Sequence, residues 1–162
     1  MKSNLLMNFS VDKESKVINV ERAFAAPVHK VWSAWTEPKI LDQWWAPKPW
    51  KAKTKSLDFT VGGHWLYAMV GPEGEEHWAR ADYEFIDSLK SFSALDAFCD
   101  QDGKINESFP RSKWTNTFRE KDDLTIVSVA IQYDSLSDLE ATVEMGFKEG
   151  FISALSNLDD LL

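Results

Sequence analysis

The C-terminal segment 138–162 constrains the fold of this chain more than any other part of it. It contains no proline, and its apolar residues recur three or four positions apart, which is the spacing of one helical face. The pattern predicts a single helix of about 24 residues, roughly 36 Å long and able to cross a small domain. We expect Ser137 to cap its start, with Glu140 at capping-box spacing. The residues of the apolar face are Val143, Phe147, Gly150, Phe151, Ala154, Leu158 and Leu161.

A stripe of small residues runs along this predicted helix and consists of Gly146, Gly150 and Ala154. A glycine inside a helix costs about 1 kcal/mol relative to alanine, so we expect the missing side chains to serve a purpose. The commoner reason for such a stripe is close packing of the helix against a sheet. The alternative is headroom, that is, space for a ligand between the helix and the sheet.

Ahead of this helix, the chain has the pattern of one strand, two short helices and about six further strands. Residues 16–25 alternate apolar and polar side chains, as a half-buried strand does. Pro27 suits the first turn of a helix, and Thr36 is placed to cap a second one. This order is typical of an antiparallel α+β domain whose last helix covers the apolar face of the sheet. We assign residues 16–162 to a single domain and residues 1–15 to an N-terminal extension, either loosely ordered or a short edge strand.

The chain is acidic, with a formal net charge of −8 over 162 residues. This charge argues against nucleic acids and anionic membrane surfaces as partners, because both are bound by clustered lysine and arginine. No stretch approaches the ~20 apolar residues of a membrane span, so we expect no membrane insertion. The N-terminus lacks a signal-peptide pattern and Cys99 is the single cysteine, which favours a cytoplasmic monomer or simple homo-oligomer.

Two tight turns predict how the central strands pair. If the turn GPEG places Met69 opposite His77, then Trp65 lies opposite Ala81, a large residue facing a small one. The turn LKSF adds further pairs: Tyr83 with Ala94, Phe85 with Phe92, Ala81 with Asp96 and Ala79 with Phe98. A slip of one residue in this strand pairing would turn every side chain to the opposite face of the sheet. The predicted helix-side face holds Trp65, Tyr67, Tyr83, Phe85, Asp96 and Phe98.

Asp96 is the sharpest chemical candidate on this face. A carboxylate among aromatic rings is costly unless it is hydrogen-bonded, and burial raises its pKa. Asp96 is therefore either a ligand-orienting group or general base, or a structural carboxylate bonded to Tyr83, Tyr67 or backbone amides.

Other aromatic and titratable residues give weaker signals. Trp44, Trp45 and Trp50 form either a plug between helix and sheet or an aromatic lip on a cavity. The three histidines have no spacing that brings a third ligand to a metal, so we predict no metal site. No Ser–His–Asp arrangement, phosphate loop or dinucleotide fingerprint occurs, and we assign no catalytic residue and no cofactor.

Four stretches together carry a family resemblance: VWSAWTEPKILDQWWAP, VGGHWLYAMVGPEG, LDAFCDQDG, and YDSLSDLEATVEMGFKEGFISALSNLDDLL. In this order and spacing they resemble the activator of heat-shock protein 90 ATPase-like (AHSA-type) proteins of the START-like, or SRPBCC, superfamily. The resemblance covers roughly residues 16–162. It implies a helix-grip fold: a curved antiparallel sheet of about six or seven strands around a long C-terminal helix, with two short helices after the first strand and a cavity beneath the long helix.

Three classes of function follow from these observations. The first is non-catalytic binding of a small hydrophobic molecule, aromatic or lipid-like, between the sheet and the helix. The alternative is a protein-interaction module that regulates a chaperone-type ATPase, which a patch of exposed tryptophans would favour. A further alternative, suggested by cyclases among START-like relatives, is an enzyme with Asp96 and Tyr83 as its acid–base pair. The candidate ligand-binding residues are Trp45, Trp65, Tyr67, Tyr83, Asp96, Phe98, Trp114, Phe147, Gly150 and Phe151.

Overall fold

The computed structural model describes residues 6–162, which form an α+β domain of one sheet and four helices. The predictions for residues 1–5 of the N-terminal extension lie outside the described residues. The elements are β1 (Met7–Asp12), β2 (Val17–Phe24), α1 (Val28–Thr36), α2 (Pro38–Trp44), β3 (Lys51–Leu57), β4 (His64–Val70), β5 (Glu76–Asp87), β6 (Ser91–Cys99), β7 (Ser112–Lys121), β8 (Leu124–Tyr133), α3 (Leu136–Glu144) and α4 (Phe147–Leu161).

The sheet is antiparallel throughout, curved and open, with the strand order β1-β2-β8-β7-β6-β5-β4-β3. This confirms the α+β class and agrees with the helix-grip fold, but the described residues form eight strands rather than the expected six or seven. The additional edge strand is β1, which pairs with β2 from Met7 opposite Arg22 to Asp12 opposite Val17. The edge-strand interpretation therefore applies to part of the N-terminal extension.

The side chains on one face of the sheet align in rows across the strands. One row runs through Ile18, Ile131, Trp114, Ala94 and Tyr83, from β2 to β5. Most members of such rows are buried, because β-strands send alternate side chains to the same face and the helices cover that face. This shared face forms the core and also the floor of the candidate site.

The predicted pairing of the central strands is confirmed from Met69 opposite His77 to Tyr83 opposite Ala94. It is wrong at Phe85, which lies opposite Ser93 because the register shifts between Tyr83 and Phe85. Such a bulge adds one residue to a strand and reverses the facing of the residues beyond it. Phe85 consequently leaves the helix-side face and is 52% exposed.

The two short helices pack their tryptophans onto this face. Trp32 makes an edge-on contact with Phe118 of β7, with ring centroids 5.0 Å apart. The predicted capping role of Thr36 is wrong, because Thr36 ends α1 and its Oγ1 donates to the carbonyl oxygen of Trp32 at 2.9 Å. Glu37 occupies the N-cap of α2, and Pro38 follows in its first turn.

The C-terminal segment is not the single long helix predicted from its periodicity. It divides at Gly146, whose φ of 88° lies in the left-handed region, into α3 and the 15-residue α4. A glycine tolerates this conformation because it has no Cβ, and it commonly terminates helices in this way. The cap also differs, since the amide of Asp138 donates to Ser135 Oγ at 3.1 Å rather than to Ser137.

A buried ion pair fixes α4 to the sheet. Arg22 of β2 donates to the carboxylate of Asp159, and their side chains are 9% and 10% exposed. The guanidinium carbon of Arg22 also lies 4.9 Å from the centroid of the Phe24 ring. This pair holds the C-terminal half of α4 over strand β2.

Candidate functional site

All ten candidate ligand-binding residues line one of two adjoining cavities. The inner cavity lies between the short helices and the sheet; the outer groove lies between α4 and strands β4 to β6. The inner cavity is lined by Trp35, Leu41, Trp45, Trp65, Tyr67, Ala81, Tyr83, Phe92, Ala94, Asp96, Trp114 and Asn116. The outer groove is lined by Trp45, Pro47, Tyr67, Met69, His77, Ala79, Asp96, Phe98, Trp114, Phe147, Gly150 and Phe151.

The two cavities differ in the space they offer. The outer groove has an empty volume of about 800 Å³ including its open mouth, and its walls are mainly apolar. The inner cavity has about 460 Å³, but only a few water-sized groups fit inside it. A ring-sized molecule therefore fits the outer groove, whereas the inner cavity admits only a small group.

Gly150 forms part of the helical wall of the outer groove. A Cβ atom placed on it would meet Pro47 Cγ at 3.8 Å, an ordinary van der Waals contact. Close packing against the sheet does not explain this glycine, and its position in the groove wall favours the headroom interpretation. Gly146 has a different role, because it divides the helix instead of lining the groove with Gly150.

Four side chains line both cavities and form the boundary between them. They are Trp45, Tyr67, Asp96 and Trp114. Trp45 Nε1 donates to Tyr67 Oη at 3.0 Å, and the Tyr67 ring stacks on Trp65 with centroids 3.9 Å apart. Burial raises the pKa of Tyr67 well above its usual value, and the charge of Asp96 adds to this shift. Tyr67 is therefore a neutral hydroxyl at physiological pH.

Asp96 is the titratable group at this boundary. Burial raises its pKa to about 7, while the backbone amide of Ala97 and the charge of Arg111 oppose that rise. Of the bonding partners considered from sequence, neither Tyr67 nor Tyr83 is hydrogen-bonded to this carboxylate in residues 6–162. Near neutral pH both protonation states of Asp96 are populated.

A cluster of charged residues hydrogen-bonds to β6, the strand that carries Asp96. Arg80 Nη2 and Arg111 Nη2 each donate to the Asp82 carboxylate at 2.6 Å. Burial alone would raise the pKa of Asp82, but hydrogen bonds from both arginines outweigh it and leave that pKa below its usual value. Arg111 also donates to the Leu95 carbonyl at 3.2 Å, which connects the cluster to the Asp96 strand. Sequence reasoning missed this cluster, although Arg80 and Asp82 lie two residues apart on β5 and therefore on the same face of the sheet.

Asn116 is a site residue that the sequence analysis also missed. It is 3% exposed and lines the inner cavity, and its Oδ1 has no hydrogen-bond partner among the described residues. Its position in the sequence gave a usable signal, because Asn116 is in phase with Trp114 and Phe118 on β7. The indole Nε1 of Trp35, on another wall of the inner cavity, is the second buried polar atom without a partner in residues 6–162.

The three clustered tryptophans at the end of α2 divide between the two roles predicted for them. Trp44 is a plug, fully buried, with its Nε1 donating to the Ala34 carbonyl at 2.8 Å. Trp45 lines both cavities, and Trp50 contacts His77 at the groove wall with ring centroids 5.3 Å apart.

No group of three metal-ligating side chains is found in residues 6–162. None of the described helices is long and apolar enough to span a membrane.

An open antiparallel sheet gripping a C-terminal helix, with a cavity between them, defines the class of START-like domains. Within that class, this chain belongs to the family described as Activator of Hsp90 ATPase homolog 1-like protein, whose family model matches residues 25–162. The family resemblance seen in the sequence motifs is thereby confirmed. No curated protein matches this chain significantly.

Solved structures of bacterial proteins share the fold over nearly the whole chain. Ms6760 from Mycobacterium smegmatis is 32% identical, covers 98% of this chain and 96% of its own, and superposes with a TM-score of 0.89. A protein from Arthrobacter aurescens is 26% identical, covers 94% and 88%, and has a TM-score of 0.88. A protein from Staphylococcus epidermidis is 27% identical, covers 94% and 93%, and has a TM-score of 0.83.

Proposed function

We propose that this protein binds a small hydrophobic, ring-containing molecule in the outer groove without transforming it. The observation that carries the proposal is Gly150, which leaves space in the α4 wall opposite the aromatic side chains of the groove. Trp114 lies 5.6 Å and Trp45 6.1 Å from Phe151, measured between ring centroids. These rings offer faces and edges against which a flat apolar ligand can stack.

The expected affinity is micromolar. Removing apolar surface from water contributes about 25 cal/mol per Å², and a ring-sized ligand buries enough area to outweigh the loss of its translational and rotational freedom. The open mouth of the groove leaves part of such a ligand in contact with water. Tighter binding therefore requires specific polar contacts at the boundary with the inner cavity.

Two observations favour ligand binding over the alternative functions. A chaperone-interaction module was expected to present a patch of exposed tryptophans, but all eight tryptophans are buried or partly buried. The proposed acid–base pair of Asp96 and Tyr83 lacks the hydrogen bond that would couple the two groups. Burial raises the pKa of Tyr83, and no charge from Asp96 contributes to that shift.

The test is a screen of neutral bicyclic aromatics, monitored by intrinsic tryptophan fluorescence. Trp45 and Trp114 line the groove, so a bound ring should change their emission. Gly150→Leu fills the groove from the helix side and should weaken any hit by about tenfold or more, while the protein stays folded. Ser156→Leu is the matched control, because Ser156 is an exposed residue of the same helix outside the groove.

Two results would contradict the proposal. One is a screen in which no apolar aromatic perturbs the fluorescence of the wild-type protein. The other is equal binding by the wild type and by a folded Gly150→Leu variant. Chemical conversion of a bound compound by the wild type, lost in Asp96→Asn, would instead favour the alternative in which the protein is an enzyme.

A further inference from the structure

Two buried polar atoms without hydrogen-bond partners belong to residues that line the inner cavity. They are Trp35 Nε1, a donor, and Asn116 Oδ1, an acceptor, and both residues are 3% exposed. Buried polar groups in native proteins are nearly always paired, so each such atom calls for an explanation. Because both residues line the same cavity, a single guest in that cavity can supply both partners.

The surroundings of the two groups explain why the protein does not pair them itself. On the sheet, Asn116 lies in a row between Val129 and Phe92, which offer no polar side-chain atom. The Trp35 indole is surrounded by aromatic rings, with Trp44 at 4.9 Å and Phe118 at 6.0 Å between centroids. A valine or leucine at position 116 would fit this row without an unpaired atom, so the asparagine is not accounted for by packing.

We infer that the ligand of the proposed outer-groove site carries a hydroxyl group, which enters the inner cavity and hydrogen-bonds with Asn116 and Trp35. This inference rests on the proposed function and assigns the chemical class of its ligand, a neutral hydroxylated aromatic. A hydroxyl both donates and accepts, so it serves Asn116 Oδ1 and Trp35 Nε1 directly or through one water held beside it. Because Asn116 carries a donor and an acceptor, either orientation of its amide can meet a hydroxyl.

The space in the two cavities agrees with this assignment. The inner cavity admits only a few water-sized groups, so the ring must remain in the outer groove. The two spaces meet at Trp45, Tyr67, Asp96 and Trp114, and a group passing between them crosses this boundary. A ring in the groove with a hydroxyl pointing inward fits both volumes.

Charged ligand groups fit the inner cavity less well. A carboxylate accepts hydrogen bonds from Trp35 Nε1 and, when the amide turns, from Asn116 Nδ2, but it adds negative charge beside Asp96. An ammonium group only donates and leaves the Trp35 N–H unpaired. A neutral hydroxyl satisfies both atoms without burying a second charge.

Isothermal titration calorimetry with three probes of similar shape tests the inference: 2-naphthol, 2-methylnaphthalene and 2-naphthoate. In the wild-type protein we expect 2-naphthol to bind about tenfold or more tightly than 2-methylnaphthalene, and 2-naphthoate to bind most weakly. Asn116→Leu should remove this preference, bringing 2-naphthol to within about threefold of 2-methylnaphthalene and leaving the latter unchanged. The variant should fold, since an unpaired buried acceptor is replaced by an apolar group of similar size.

Trp35→Phe provides a second variant if Asn116→Leu does not fold, because it removes Nε1 and keeps an aromatic ring at the site. Equal wild-type affinities for 2-naphthol and 2-methylnaphthalene would overturn the inference while leaving the proposed function in place. Equal losses of affinity for 2-naphthol and 2-methylnaphthalene in the variants would also overturn the inference and leave the proposed function in place. Failure of all three probes to bind would overturn the inference and the proposed function together.

Discussion

Trp45 Nε1 donates a hydrogen bond to Tyr67 Oη at 3.0 Å, and both residues lie on the boundary between the inner cavity and the outer groove. The bond joins the end of α2 to β4, two elements that belong to opposite walls of the site. It fixes the indole of Trp45 at ring-contact distance from Trp65, with centroids 5.4 Å apart. The bond therefore holds one side of the boundary between the two spaces in place.

Tyr67→Phe removes the acceptor and leaves the Trp45 N–H unpaired in a part-buried position. We expect a loss of about 1–2 kcal/mol in the free energy of unfolding, measured by urea denaturation. A double-mutant cycle with Trp45→Phe isolates the bond, and a coupling of about 1 kcal/mol is expected. Strictly additive effects of the two substitutions would show that the bond contributes nothing to stability.

The raised pKa of Asp96 predicts a pH-dependent loss of stability. Its pKa is about 7 in the folded protein against an ordinary value of 3.8, so the folded state binds the proton more tightly than the unfolded state. The protonated carboxyl of Asp96 therefore contributes stability to the folded protein at low pH. That contribution is lost as the pH rises from about 4 to about 7. The full change is roughly 4 kcal/mol.

Asp96→Asn isolates this effect from Asp82 and Asp100, whose lowered pKa values act in the opposite direction. The difference in unfolding free energy, wild type minus variant, should decrease steadily between pH 4 and pH 7 and then level off. Denaturation curves at a series of pH values measure it. A difference that does not change with pH would mean that Asp96 titrates normally.

The buried pair of Arg22 and Asp159 predicts an asymmetric response to substitution. Asp159→Leu leaves the buried guanidinium of Arg22 without its oppositely charged partner and should destabilise the protein by about 3–5 kcal/mol. Adding Arg22→Met to this variant removes the unpaired charge and should recover most of the loss. Thermal and urea unfolding of the single and double variants provide the comparison. A double variant less stable than Asp159→Leu alone would refute this explanation.

The two glycines of the C-terminal segment should respond to alanine in opposite directions. Gly150 has ordinary helical surroundings and space for a Cβ, so Gly150→Ala should stabilise the protein by about 0.5–1 kcal/mol. Gly146 has a φ of 88°, and Gly146→Ala should destabilise it by about 1–2 kcal/mol. Changes of the same sign at both positions in urea denaturation would contradict the helix division described for this segment.

Local rules predicted much of the sheet and of the candidate site. Strand alternation with the turns GPEG and LKSF placed Trp65, Tyr67 and Asp96 on one face, because a hairpin turn constrains the register of its two strands. The same reasoning failed at Phe85, since a bulge depends on how the sheet curves around its contents. The binding roles of the ten candidate residues remain a prediction, although all ten line the two cavities.

The sequence by itself determined most of the side chains that face the core, because strand and helix periods follow from backbone geometry. Only the tertiary structure decided that Gly146 ends one helix and begins another, since glycine is compatible with a helix interior and with a left-handed cap. The same holds for the unpaired atoms of Trp35 and Asn116. Each residue is ordinary on its own element, and whether a polar atom finds a partner depends on which groups distant segments place across the cavity from it.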